Sequence, residues 1–346
     1  MSDLKKVKNS VRAHVRKQGG AGEARENKNQ KKEAKKKPEK KFQHLYGPVP
    51  SRRLGYSLGV DLLPFKTCTL NCLYCQLGRT RKKTIRRNSF FSEKQILEEI
   101  REFLKTGTKV DFITFSGSGE PTLNKSIGRL IRKIKKMTSL PVAVLTNSTL
   151  LTRPEVRKDL MAADVVVPSL DGVIEKVFKK VNRPHPSLKA EKIIDGLIKF
   201  RQQFKGQIWL EVMLVKGVND SAAHLKKLKQ AIEKIHPDKI HLNTVVRPPA
   251  EKSARPLSPE EMAKIKEFLG EKTEVVASFR KKEQEKAPQD IAQAILAIVH
   301  RRPVTLEDLE NSLGLTREEL SLTLQHLLDS HQVKQLKHAG RLYYEP

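Results

Sequence analysis

The sequence predicts an α/β fold built on a parallel sheet, and two observations predict it. Between Leu58 and Leu269, short apolar runs alternate six times with longer amphipathic segments, the pattern of consecutive strand–helix units. Several of the amphipathic segments open on a serine or a proline, residues that start helices by capping a free N–H or by pre-setting φ. The first strand is Leu58–Leu63, and its helix is Ser92–Lys105. Strand Val110–Phe115 is followed by helix Ile127–Met137, and strand Val142–Thr146 by helix Pro154–Ala163. Strand Val165–Pro168 leads to Ser187–Phe204, Ile208–Val215 to Ser221–Ile235, and Ile240–Val245 to Ser258–Leu269. A short strand, Glu274–Ala277, ends the series. The periodicity alone also allows a doubly wound sheet.

Residues 280–287 are polar and read as a linker. The pattern then changes over residues 288–346. Helix Asp290–Arg301 precedes a helix over Thr305–Leu313, a Gly314-Leu-Thr turn, a helix over Arg317–Asp329 and a basic hairpin from Gln332 to Tyr344. That order resembles a winged-helix domain, with its second and third helices as the helix-turn-helix pair. The candidate recognition helix, Thr316–Asp329, sets Arg317 against Glu318, Glu319 and Asp329. An acidic helix suits a phosphate-lined groove poorly. A docking or substrate-presenting role fits better than sequence-specific DNA reading.

The 346 residues are 38% hydrophobic and carry a net charge of +29. That is enough apolar material for a large domain, 43–279, plus a smaller module. Residues 1–42 hold 15 Lys or Arg against 5 Asp or Glu, a net +10. Poor in apolar residues, this stretch predicts a disordered basic tail, either a polyanion-binding arm or a solvated one. The other residues keep +19, an excess that points to an anionic macromolecule, RNA ahead of DNA. Aromatic residues are only 5% of the chain, so no base-stacking platform is evident. No run of about 18 apolar residues marks a membrane span. The N-terminal residues lack the apolar core of a secretory signal, so a reducing cytoplasm is expected.

The three cysteines of the chain sit together, as Cys68-Thr-Leu-Asn-Cys72-Leu-Tyr-Cys75. A disulfide framework wants an even count in a secreted chain, and a structural zinc site wants a fourth ligand such as His44. Three thiolates on one loop can instead hold three irons of a [4Fe-4S] cluster and leave the fourth iron open, as catalytic metal centres require. A second motif, Ser116-Gly117-Ser118-Gly119-Glu120-Pro121-Thr122, ends the strand Val110–Phe115. Its glycines admit close backbone approach, and Glu120 offers a carboxylate to an ammonium group.

Together these motifs resemble the radical S-adenosylmethionine (radical SAM) superfamily. The resemblance selects a partial (β/α)6 barrel over the doubly wound sheet. It implies one [4Fe-4S] cluster on Cys68, Cys72 and Cys75, with S-adenosylmethionine on the open iron, cleaved by an electron to a 5′-deoxyadenosyl radical. It implies that Gly117, Ser118, Gly119 and Glu120 hold the methionine amine, with Ser118 standing where the family has a glycine. Tyr74 falls where an aromatic lies near the adenine. Asn147, Ser169 and Asp171, at strand ends, fall where carboxylate or ribose contacts are made, though each could equally be a turn or cap residue. With the segment Tyr46–Gly59 included, residues 44–278 resemble a subgroup near the wybutosine-pathway enzymes, the tRNA 4-demethylwyosine synthases. Archaeal members hold a second cluster on further cysteines, and this chain has none. Single-cluster hydrogen abstraction is what the resemblance leaves.

Cations gather near the expected mouth. Six of the nine residues from Arg79 to Arg87 are basic, Arg81 among them. Arg52 and Arg53 precede the cysteine loop, in a stretch that also reads as a structural strap. Arg183 and Arg247 sit in proline-rich loops after later strands. Arg52, Arg53, Arg79, Arg81, Arg183 and Arg247 are all candidates for a substrate anion. The expected partners are RNA, with tRNA first, or a protein substrate, and an electron donor such as ferredoxin or flavodoxin. A non-catalytic zinc protein that binds nucleic acid is the alternative of another class.

Overall fold

The computed structural model describes residues 42–51, 53–276 and 291–346. The expected tail, except Phe42, lies outside the described residues, as do Arg52, the 280–287 linker and the last residue of the expected strand Glu274–Ala277.

The chain enters through an antiparallel hairpin of β1 (Leu45–Ser51) and β2 (Gly55–Val60). Two-residue strands β3 (Thr67–Cys68) and β4 (Lys82–Lys83) then pair in parallel. Helix and strand alternate from there: α1 (Glu93–Lys105), β5 (Phe112–Phe115), α2 (Ile127–Met137), β6 (Val142–Thr146), α3 (Pro154–Leu160) and β7 (Val165–Pro168). Next come α4 (Glu175–Val181), α5 (Ala190–Gln203), β8 (Gln207–Leu214), α6 (Ala222–Ile235), β9 (Lys239–Thr244), α7 (Pro259–Leu269) and β10 (Thr273–Val275). One eight-stranded sheet has the order β1-β2-β5-β6-β7-β8-β9-β10. Every pairing from β2 to β10 is parallel, so the connections must cross over. The strands are apolar along their length because helices cover them: Ile113, Phe115, Val142, Val144 and Val166 are all buried.

All six expected strand–helix units are present, and three differences have physical reasons. The stretch that reads as a strap is the edge strand β1, where Pro48 and Pro50 cost no ladder bonds in a sheet interior. Tyr46 pairs with Gly59 and lays its ring where a Cβ there would have to stand. Helix α4 is seven residues long, too short to show a helical period. Helix α5 begins at Ala190 and not at Ser187, because the Ser187 hydroxyl is engaged 2.9 Å from His185 Nδ1.

Residues 291–346 fold as α8 (Ile291–Val299), α9 (Leu306–Leu313), α10 (Arg317–Asp329), and an antiparallel pair, β11 (Lys334–His338) and β12 (Arg341–Glu345). Ile295, Ile298, Leu309, Leu320 and Leu324 make a core of their own. Helices α9 and α10 both start with reciprocal caps, Thr305 with Asp308 and Thr316 with Glu319. This module meets the sheet domain along β1 and β2 and again beyond β9. Val49 of β1 joins its core, and the Tyr56 hydroxyl of β2 donates to Asn311 O at 3.0 Å. Tyr343 of β12 donates to Val246 O, after β9, at 2.7 Å. The module thus spans from one end of the sheet order to the loop near the other.

Candidate functional site

The cysteine loop leaves β3 and is tied down by backbone bonds: Asn71 N donates to Asn182 O at 2.9 Å, and Leu73 N to Val181 O at 3.1 Å. The three thiols are free and half-buried. Each sulfur has its own N–H donor. Asn147 Nδ2 is 3.4 Å from Cys68 Sγ, Asn182 Nδ2 is 3.4 Å from Cys72 Sγ, and Lys66 Nζ is 3.2 Å from Cys75 Sγ. Burial, reinforced by the Glu120 charge, pushes the Cys68 thiol up to about 12. Burial raises Cys72 as well, with Asp171 adding to it. Thiols so placed give up their protons to a metal rather than to water. The chemistry of this set, three sulfurs each with a donor, fits an iron–sulfur cluster.

Among the described residues no three His, Cys, Asp or Glu side chains converge on a single-ion position. Thiolates carried on separate irons of a cube need no such convergence. The zinc alternative depends on His44. That ring is buried, with Nδ1 2.9 Å from Glu99 and an edge-on contact to Phe91, 4.7 Å between centroids.

The second motif packs directly on this loop. Gly119 bridges Thr67 of β3, and a Cβ on it would stand 1.8 Å from Thr67 O. Ser118 turns away: its N–H, at 3.1 Å, and its hydroxyl both donate to Asp61 Oδ2. Glu120 is buried and accepts from the Thr122 hydroxyl at 2.6 Å, the Thr146 hydroxyl at 2.7 Å and Asn147 N at 2.6 Å. Burial raises its pKa, and these bonds oppose the rise. Asn147 Nδ2 also donates to Thr69 Oγ1 at 2.8 Å, which joins the β6 end to the cysteine loop.

Asp171 is buried with both oxygens engaged. Oδ1 accepts from Met213 N at 2.9 Å; Oδ2 accepts from Asn182 Nδ2 at 2.8 Å and from the Tyr74 hydroxyl. Burial lifts this carboxyl to about 6. Asp171 thereby ties together Tyr74 and the asparagine that reaches Cys72.

A cavity of about 330 Å³ joins these parts, within the small end of ligand-sized sites. Cys68, Cys72, Gly117, Gly119, Glu120, Asn147 and Ser169 line it; Cys75, Ser118, Tyr74 and Asp171 do not. Its remaining wall carries Tyr46, Arg53, Glu211, Arg247, Arg301 and Arg302.

Of the expected substrate arginines, two line the cavity. Arg53 pairs with Glu211, and Arg247 Nη1 donates to Gln76 at 3.3 Å. Arg79 and Arg183 instead share Glu251, at 3.0 and 2.6 Å. Arg81 is exposed, 5.2 Å over the Phe65 ring. Five residues of the site were not foreseen from the sequence: Lys66, Asn182, Asp61, Arg301 and Arg302. The Arg301-Arg302-Pro303 doublet at a helix end is the one visible signal; the others stand out only once the loops meet.

A family profile described as the radical SAM superfamily matches residues 62–228. A UPF0026 protein of Methanocaldococcus jannaschii is 33% identical over 306 residues, 86% of this chain and 94% of its own length. A protein of Brachyspira hyodysenteriae named GTPase Obg is 37% identical over 313 residues; the match takes 90% of this chain and 46% of that protein. The chain therefore spans under half of that relative. Among solved structures, a radical SAM methyltransferase from Sphaerobacter thermophilus aligns with a TM-score of 0.46 at 18% identity, over 63% of this chain and 65% of its own.

Proposed function

This chain belongs to the UPF0026 family and is a radical SAM enzyme, and from that premise we propose that it modifies RNA, with tRNA first, through reductive cleavage of S-adenosylmethionine at one [4Fe-4S] cluster. The observation that carries the reading is that Cys68, Cys72, Glu120 and Asn147 share one cavity, with an N–H donor on every thiol of the loop. When bound, the reduced cluster supplies the electron that splits S-adenosylmethionine into methionine and the radical that takes a hydrogen from substrate.

The chain's own residues then have separate tasks. Cys68, Cys72 and Cys75 hold three irons, and Asn147, Asn182 and Lys66 stabilise their negative sulfurs. Glu120, with the backbone of Gly117 and Gly119, receives the ammonium of the methionine moiety. Asn147 and Ser169 face its carboxylate or the ribose. Ser118 and Asp61 fix the turn that presents Glu120. Tyr74 and Asp171, which do not line the cavity, act as positioning residues. The reduced cluster needs an external donor such as ferredoxin or flavodoxin.

The RNA reading is supported by charge. Arg79, Arg81, Lys82, Lys83 and Arg86, all exposed, follow the cysteine loop directly, where they can meet phosphates. The likeness of residues 44–278 to tRNA 4-demethylwyosine synthases supports tRNA. We read the sheet as a partial (β/α)6 barrel and residues 288–346 as a winged-helix module that presents or retains substrate. A protein substrate is the second reading, favoured by the exposed Glu318 and Glu319 at the start of α10.

Anaerobic reconstitution tests the core claim. Wild-type protein should be brown, absorb near 400 nm and release 5′-deoxyadenosine with dithionite. Cys72→Ala should keep its circular dichroism and fall to background. Undiminished 5′-deoxyadenosine from that variant, or colourless wild-type protein without iron, rejects the assignment. Mass spectrometry of RNA from cells lacking the protein tests the substrate: a missing modified nucleoside is expected, and an unchanged RNA profile rejects RNA.

A further inference from the structure

Arg302 is a cation of the cavity wall that no carboxylate among the described residues pairs with. Its neighbours each have a carboxylate near: Arg53 pairs with Glu211, Arg301 Nε is 3.6 Å from Asp61 Oδ2, and Arg247 Nη2 is 3.9 Å from Asp308 Oδ1, although Arg53 Nε and Arg301 Nε are also buried without a hydrogen-bond partner among the described residues. Arg301 also lies over the Tyr46 ring, 4.7 Å from its centroid. Arg302 Nε and Nη2 are shut off from solvent and have no hydrogen-bond partner among the described residues. Burial, and after it the charge of Arg247, drives this guanidinium down to about 10, with Asp308 and Tyr46 too weak to offset them. At neutral pH it still carries its charge.

Leaving a buried donor unmade is costly, and an unpaired donor on a cavity wall is one that a ligand can satisfy. The position fits that purpose. Arg302 follows α8 and closes the cavity from the C-terminal module, while Cys68 and Glu120 line it from the sheet domain. Two guanidiniums on one cavity wall, with planar N–H forks, suit an oxyanion.

We propose that Arg302, with Arg247 on the same wall, receives an oxyanion of the substrate, a phosphate or a carboxylate, and orients that substrate toward the S-adenosylmethionine end of the cavity. This rests on the radical SAM reading of the same cavity. It adds that the C-terminal module is part of the active site.

The test uses the full-length, iron-loaded protein and two probes, inorganic phosphate and acetate, titrated by calorimetry at constant ionic strength. Wild type should bind one equivalent of at least one probe at this site. Tighter phosphate points to a nucleotide or nucleic-acid source; tighter acetate points to a carboxylic acid. Arg302→Met should weaken that binding at least about tenfold, and Arg302→Lys should lose less, since a lysine keeps the charge without the fork. Because Arg302 makes no protein hydrogen bond through Nε or Nη2 among the described residues, Arg302→Met should melt no lower than wild type. Equal anion affinity in wild type and Arg302→Met overturns the proposal. So does a lowered melting temperature in Arg302→Met without any loss of anion binding, which would mark a structural arginine. Absorption near 400 nm, read on the same samples, reports the cluster separately. Its absence would reject the radical SAM reading, while the calorimetry still decides the anion site.

Discussion

Lys66 shows how closely single side chains are committed around the thiols. It is buried, and its ammonium is held between Cys75 Sγ, at 3.2 Å, and the carbonyl of Gly78. A cation there offsets the charge that three thiolates bring, as does any N–H aimed at sulfur. Farther from the thiols, burial has a titration consequence. His241 on β9 is buried, Nδ1 has no partner among the described residues, and Nε2 is 4.0 Å from Glu274. Burial first, and then Arg53, lowers its pKa to about 4. In the unfolded chain a histidine titrates near 6.5. Between those values the unfolded state binds the extra proton, so stability is complete above about pH 6.5 and is lost as pH falls toward 4. The loss attributable to this one ring is at most about 3 kcal/mol. His241→Leu should therefore flatten the dependence of the melting temperature on pH between 4 and 6.5. An equally steep curve in the variant would show that the ring is not the source.

At the scale of elements, the site exists because three loops are pressed together: the cysteine loop after β3, the turn after β5 and the end of β6. The approach of Gly119 to Thr67 is the tightest of these, and Gly119→Ala would drive a methyl group into backbone at 1.8 Å. Backbone cannot yield as a side-chain tip can, so a cost of about 2 kcal/mol or more is expected. Because β3 carries Cys68, the variant should also bind less iron per chain. Full iron loading at the wild-type melting temperature would mean that the loops tolerate separation. The same packing explains what is legible in the sequence. The six strand–helix units show there because helix-covered parallel strands must be apolar throughout, and the cysteine and Ser-Gly-Ser-Gly-Glu-Pro motifs show because they are contiguous. The partners of those motifs are not contiguous. Asn182 lies 110 residues from the Cys72 it touches, and no local pattern marks it. The place of Asp171 after a strand suggests a residue that meets the ligand; only the fold reveals that Met213, Asn182 and Tyr74 claim both of its oxygens. Arg52 and the 280–287 linker fall outside the described residues.

The whole molecule is defined by its charge, +29 over 346 residues, of which residues 1–42 contribute +10. Polyanion binding by such a chain should be dominated by counterion release, so its logarithm should fall linearly with the logarithm of salt concentration, in proportion to the number of phosphates neutralised. The two basic regions then make separable contributions. Deleting residues 1–41 removes fixed charge and leaves every described cavity-lining residue in the chain, so reductant-driven 5′-deoxyadenosine release without RNA should be unchanged. If the tail is an arm for RNA, tRNA affinity should drop and the salt slope become shallower; if it is merely solvated, both should stay as they are. The basic loop beside the cysteines makes the stronger demand. Arg81, Lys82 and Arg86 are exposed, and replacing all three by glutamine should reduce the slope by about one for each phosphate left without its cation. A slope that survives both the deletion and the triple replacement would mean that RNA is not held at this face. The phosphates would then have to meet other cations of the chain, and the basic loop would be left as a surface for an acidic group of another partner.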